Sequence, residues 1–342
     1  MPRVRIAPRE GTLGVRWRAK VEDCAIALGF SPAGDALAAA AASGPVAVLD
    51  RASGAGRHAL AGHRNGTMDL DWSADGRRLA TAGQDGLVRL WEGGALAGEL
   101  PGGSEWVERV AFQPRGATLA SAAGRRLRLW RADGGLEHDF APHASTVCDI
   151  GWRPDGGELV SAAYGGLTFW RPGSPEAVRR LEWKGSILAL AWSPDGRHLA
   201  TGDQDATVHF WIVAQGKDLQ MSGYPAKVRE LSWDSGGRYL ATGGSPLVTI
   251  WDTGGRGPEG TRPQQLEGHE GFLSALAWQR RSGYLASGCR AGRVVVWHPS
   301  RSKRPLAALD FGSSITRLEW SPDDRALAIA AVDGTVAVAA AP

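Results

Sequence analysis

The chain has 342 residues, 43% of them hydrophobic and 22% charged, with a formal net charge of +3 and no long polar tract. This balance excludes an intrinsically disordered chain and gives no push toward a polyanionic partner such as nucleic acid. The longest apolar-looking run, Ala36 to Ala42, is alanine-rich and far short of the roughly 20 residues of a membrane-spanning helix.

The start, MPRVRIAPREG, is basic but lacks the apolar stretch of a secretory signal. Cys24, Cys148 and Cys289 are odd in number, far apart and outside any ligand or redox spacing. A cytoplasmic protein with reduced thiols is the expectation. Arginine outnumbers lysine and alanine is abundant, as in proteins of GC-rich bacterial genomes.

The first predicted element is a strand-like stretch from Thr12 to Lys20, TLGVRWRAK. One unit then recurs eight times, over about 21–60, 61–101, 102–141, 142–181, 182–222, 223–267, 268–309 and 310–342. LDWSADGRRLATAGQDGLVRLW, from Leu70, overlays LAWSPDGRHLATGDQDATVHFW, from Leu190, at most positions. LSWDSGGRYLATGGSPLVTIW and LAWQRRSGYLASGCRAGRVVVW follow, and the remaining copies are weaker.

The first aromatic of each copy is Phe30, Trp72, Phe112, Trp152, Trp192, Trp233, Trp278 or Trp320, spaced by 40 to 45 residues. A second anchor lies 18 or 19 residues later, at Leu49, Trp91, Trp130, Trp170, Trp211, Trp251, Trp297 and Ala339. Twelve of the fifteen tryptophans therefore occupy two registers of one repeat, which chance does not produce. Segments such as VRLW and VVVW read as strands, separated by SPDG-like and QDG-like turns, and RHAL or PQQL supplies a fourth strand between copies. Four short strands in about 41 residues make one blade of a propeller.

These motifs resemble the WD40-repeat family. The resemblance rests on Gly62-His63 and Gly268-His269, SPDG after the aromatic, LATAGQDG, Trp91 and its equivalents, and the literal dipeptide Trp251-Asp252. It covers about residue 12 onward and implies an all-β, closed propeller of four-stranded antiparallel blades. Eight blades are expected, with seven as the alternative if one copy stands outside the ring. Residues 1–20 are expected to supply the outer strand that the last copy lacks.

The resemblance also implies that His63, Thr81, Asp85 and Trp91 form a buried hydrogen-bonded set with a structural role, rather than a hydrolase triad. His143, Ser161 and Trp170, and His269, Ser287 and Trp297, repeat it without the aspartate. No histidine lies in a metal-binding motif, and no phosphate-binding glycine loop opens a helix, so no cofactor or metal is expected. The short arginine clusters lie at turns or outer strands and lack the interleaved aromatics of single-strand binders. The insertion Gly254 to Pro263 is expected to be a mobile surface loop.

In the family, partners dock on the face around the central channel. The positions expected there are Met68, Gln84, Trp106, Glu108, Tyr164, Leu188, Gln204, Lys227, Arg229, Phe272 and Arg290. Trp106, Met68, Leu188, Tyr164 and Phe272 are expected as exposed apolar groups, while Lys227, Arg229 and Arg290 suit an acidic segment of a partner. Met68 and Leu188 have the plainer alternative of plugging the channel.

The function expected is a non-enzymatic scaffold that is monomeric by itself and binds a protein or peptide, with no membrane. The alternatives are a small-molecule-sensing or catalytic propeller that uses the channel, and an RNA-binding propeller. Converging carboxylates or histidines on the inner strands would favour a channel site. The inner-strand positions considered, four and six before the first aromatic, hold one Glu and no His.

Overall fold

The computed structural model describes residues 11–255 and 257–342. Eight antiparallel sheets follow one another along the chain, and the sole helical element among the described residues is the short 3-10 turn Val213–Gln215. The blade of the second copy shows the plan: an inner strand Thr67–Trp72, then Arg78–Gly83, Leu87–Glu92 and an outer strand Ala95–Pro101. Each inner strand packs beside the next, and the eighth, Ile315–Trp320, packs beside the first, Ala25–Phe30, so the ring is closed with eight blades. The seven-bladed alternative does not hold.

Turn chemistry sets the blade geometry. Gly76 ends the first turn of blade 2 at φ 70°, a left-handed conformation that glycine enters without steric cost. Gly62 has φ 65°, and a Cβ on it would lie 1.7 Å from the carbonyl oxygen of Gly44. That close approach explains the glycine before His63.

The core lies between blades. Ala80, Ala82, Val88 and Leu90 of blade 2 pack against Val110, Leu119 and Trp130 of blade 3, and equivalent clusters repeat round the ring. The first aromatic register has a polar task as well. The indole N–H groups of Trp72, Trp152, Trp192, Trp233 and Trp320 donate to Gly29, Ala111, Gly151, Ala191 and Ala277 carbonyls of the preceding blade at 2.9–3.1 Å.

The last blade closes as the sequence suggested. Val15–Lys20 pairs antiparallel with Thr335–Ala340 as the outer strand of blade 8, and Trp17 donates to the Arg51 carbonyl of blade 1 at 2.7 Å. Residues 1–10 of the proposed closing segment lie outside the described residues. One feature was not foreseen: Gly11–Thr12 runs parallel to Ala307 and Ala308 of blade 7, and Leu13 is buried between blades 7 and 8. The chain thus crosses from one blade to the next before sealing the ring. In the insertion between the third and outer strands of blade 6, Gly257 and Pro258 are buried and Glu259 lies 3.9 Å from Lys217 of blade 5.

Candidate functional site

In blade 2 the four family positions meet. His63 Nδ1 lies 2.8 Å from Asp85, its Nε2 lies 2.8 Å from Thr81 Oγ1, and the Trp91 indole donates to the same hydroxyl at 2.9 Å. His63, Thr81 and Trp91 are buried and Asp85 is half-buried, and burial holds His63 below its ordinary pKa despite Asp85. Burial raises Asp85, but bonds from His63 and the Arg64 N–H outweigh it and leave the carboxyl lowered. A hydroxyl sealed between an imidazole and an indole has no room for a substrate, so the arrangement can tie strands together but cannot attack one.

Other blades rewire the same position. In blade 6 Tyr224 replaces the histidine, bonding Thr242 at 2.8 Å and accepting from Trp251 at 2.7 Å, with burial pushing its hydroxyl up to about 12. In blade 5 the Trp183 ring stands at the histidine position and packs at a tilt, 3.9 Å between ring centres, against His209, which bonds Asp218 at 2.7 Å. In blade 7 His269 bonds Ser287 at 2.6 Å, but its Nδ1 is buried without a hydrogen-bond partner among the described residues. Burial, helped by the nearby charge of Arg293, pushes His269 down to about 4.

Ala291 occupies the blade 7 position that Asp85 holds in blade 2. Ala291→Asp is expected to stabilise the fold by about 1–2 kcal/mol near neutral pH by giving that nitrogen a partner. The wild type should show a pH signature. Its folded His269 value of about 4 lies below the ordinary 6.5, so the unfolded chain takes the proton first. Stability present above pH 6.5 is then lost as pH falls toward 4, by up to about 1.4 kcal/mol per unit. The added carboxylate should flatten this slope. Urea unfolding of both chains across that range is the check, and identical stabilities and slopes would refute the pairing.

The expected partner-binding residues gather at one end of the ring. In blades 2, 5 and 7 backbone bonds tie the start of the inner strand to the turn between the second and third strands: Gln84 to Gly66, Gln204 to Ser186 and Arg290 to Phe272, at 2.9–3.0 Å. Trp106, Tyr164 and Phe272 are exposed by 51%, 59% and 38%, and no other aromatic of the described chain is among its exposed large apolar side chains. Gln204, Lys227, Arg229 and Arg290 are exposed, while Gln84 and Glu108 are half-buried. The expectation fails for Met68 and Leu188, which are half-buried. Met68 receives the Gln84 amide at 3.5 Å, and Leu188 lines the channel and fits the plugging alternative.

Sequence reasoning missed the channel lining. Asp69, Arg109, Asp149, Glu230 and Arg317 stand three residues before the first aromatic, and Asp71 and Glu319 stand one before it. The first five border a cavity of about 330 Å³. Most of these carboxyls are engaged by the ring itself. Asp69, Asp71 and Asp149 accept the N–H groups of Val110, Phe112 and Leu190 in the next blade at 2.7–3.1 Å, and Glu319 accepts from Phe30 at 3.3 Å. Asp71 and Glu319 are half-buried, and desolvation pushes them up to about 7 and about 8. No group of three or more metal-ligating side chains assembles among the described residues. The three cysteines are free thiols. No helix of the described residues is long and apolar enough to cross a membrane.

A family model described as "WD domain, G-beta repeat" matches residues 56–92, 94–131, 176–211, 217–252 and 260–298. A WD repeat-containing protein of Synechocystis sp. is 33% identical over 128 residues, 36% of this chain and 37% of that protein. The guanine nucleotide-binding protein subunit beta of Saccharomyces cerevisiae is 37% identical over 65 residues, 18% of this chain and 15% of that protein. Rattus norvegicus Jouberin is 35% identical over 115 residues, 31% of this chain and 11% of that protein. The chain therefore spans well under half the length of these relatives. Among solved structures, the computationally designed Ika8 protein shares the fold with a TM-score of 0.82 at 23% identity, covering 97% of this chain and 100% of that one. Propellers with these repeats typically serve as protein-interaction scaffolds. With more than half of its residues under the repeat model and its blades closed into a ring, the chain belongs to the WD40-repeat family.

Proposed function

We propose that this protein is a non-enzymatic cytoplasmic adaptor that holds a protein or peptide segment on the face around the channel entrance. The observation that carries this reading is the placement of Trp106, Tyr164 and Phe272. They are exposed, aromatic and together at one end of the ring. Exposed aromatics are the common anchors of protein interfaces. Lys227, Arg229 and Arg290 share that end and make no ion pair among the described residues, which suits an acidic stretch of the partner.

Trp106→Ala combined with Phe272→Ala is expected to abolish partner capture from host lysate, because a hot-spot aromatic contributes about 2 kcal/mol or more. The melting temperature should stay within about 2 °C of wild type, since neither ring belongs to a blade core. Undiminished capture would move the site elsewhere. A second reading, a small charged ligand in the channel, is favoured by the roughly 330 Å³ cavity and its facing arginines and carboxylates.

A further inference from the structure

Blades 2 and 4 differ at one place in a way that changes the charge of the surface. In blade 2, Asp85 receives His63 and pairs with Arg89 at 2.9 Å, and Arg89 pairs in turn with Glu99 of the outer strand at 2.7 Å. Blade 4 carries the same His–Ser–Trp bonds, with His143 Nε2 and the Trp170 indole each 2.8 Å from Ser161 Oγ. Its turn, however, has Gly165 and Gly166 in place of the aspartate. Where Arg89 faces Glu99 across the strands, Thr168 faces Arg180. The carboxylates of blade 2 are gone, and a cation stands where one of them was.

The consequence is an open groove. A cavity of about 450 Å³ is walled by Tyr164, Trp170, Leu181 and Trp183 and reaches His143. With no carboxylate to receive it, His143 Nδ1 lies 3.2 Å from the Arg125 carbonyl, and Arg125 Nε donates back to the His143 carbonyl at 2.6 Å. Arg125, Arg180 and Lys184 are all exposed, and none makes an ion pair among the described residues, Glu182 at the same lip included. The buried indole N–H of Trp183 has no acceptor among the described residues. Burial holds His143 below its ordinary pKa against the raising bond to the Arg125 carbonyl, and the charges of Arg180 and Arg125 lower it further.

We propose that this groove on blade 4 receives an acidic side chain from a bound protein segment, whose carboxylate takes the place left by the missing aspartate between Arg125, Arg180 and Lys184. Tyr164 and Trp183 flank the entering chain and supply apolar contact. Arginine suits this role because its planar fork meets a carboxylate with two donors. The inference rests on the adaptor reading and shares only Tyr164 with the channel rim.

The test uses the full chain and two fluorescein-labelled peptides, one alternating aspartate with leucine and the other its asparagine isostere. Fluorescence anisotropy is expected to show binding of the acidic peptide alone, weakened roughly tenfold or more by the pair Arg180→Glu and Lys184→Glu. The Trp106→Ala, Phe272→Ala chain should bind it as wild type does. The His143 ring resonances should move on binding and its titration should shift upward. Failure of the acidic peptide to bind, equal binding by the charge-reversed chain, or an unmoved His143 would each overturn the proposal. Lysate capture separates the two claims. Capture lost in the rim variant and kept in the charge-reversed one, with no peptide effect, overturns the groove and leaves the adaptor reading standing. A groove that binds peptide in a chain whose lysate capture ignores the rim variant supports the groove and overturns the rim.

Discussion

A chain lacking residues 1–20 is expected to lose at least about 5 kcal/mol, or on the order of 10 °C in melting temperature, and to associate. Two buried side chains go with the segment: Leu13, 2% exposed between blades 7 and 8, and Trp17, 9% exposed against blade 1. The deletion also strips the partner from Thr335–Ala340, whose unpaired N–H and C=O groups become a template for other chains. Thermal unfolding and size-exclusion chromatography of the truncated chain provide the check. A monomer melting within about 2 °C of wild type would show that the seam is dispensable.

Trp297→Ala is expected to cost about 3–5 kcal/mol, the range for a large aromatic removed from a packed interior. Trp297 has no exposed surface, packs with Leu273, Leu285 and Val295, and donates to Ser287 at 2.7 Å. A Cβ on Gly268 would come within 2.6 Å of its ring, so backbone and indole are fitted to one another. The loss therefore combines a cavity with the removal of one of the bonds that the Ser287 hydroxyl makes. Denaturant unfolding gives the number, and a cost below about 1 kcal/mol would contradict the assignment of this register to the core. The contrast with Trp106, whose removal should leave the fold intact, separates the tryptophans of this chain into two kinds.

The ring was legible because tryptophan is rare and large. Two registers of indoles at a 40-residue spacing leave few alternatives, and every one of these indoles but that of Trp278 donates a bond to another strand, loop or blade. The channel lining was illegible for a specific reason. In seven blades the pairing of the inner strand shifts between the fifth and third residues before the aromatic, as at Thr67/Asp69 and Val147/Asp149. Such a bulge adds a residue and breaks the alternation of faces on which any count from the aromatic depends. Asp69 and Asp149 consequently line the channel together with Leu188, which stands four residues before its aromatic. The parallel pairing of Gly11–Thr12 left no trace in the sequence, because two residues carry no periodicity. The groove of blade 4 was half visible: the missing aspartate was noted, but Arg180 is brought beside it only by the pairing of the outer strand.

The seam of blade 8 joins Val15 to Ala339, residues more than three hundred positions apart, whereas the other blades pair strands close in sequence. On a ribosome adding about 5–20 residues each second, the first strand waits tens of seconds for its partner. Blades 1 to 7 can pair their own four strands as they emerge, so assembly can run in chain order. The closing step is a different kind of event, a long-range encounter between an early strand and a late one. Loop-closure entropy grows only slowly with length, so the burden of this design falls on folding kinetics rather than on final stability. During that interval the growing arc presents two open sheet edges, and the waiting strand of one nascent chain fits the open blade of its neighbour on the same message as well as its own.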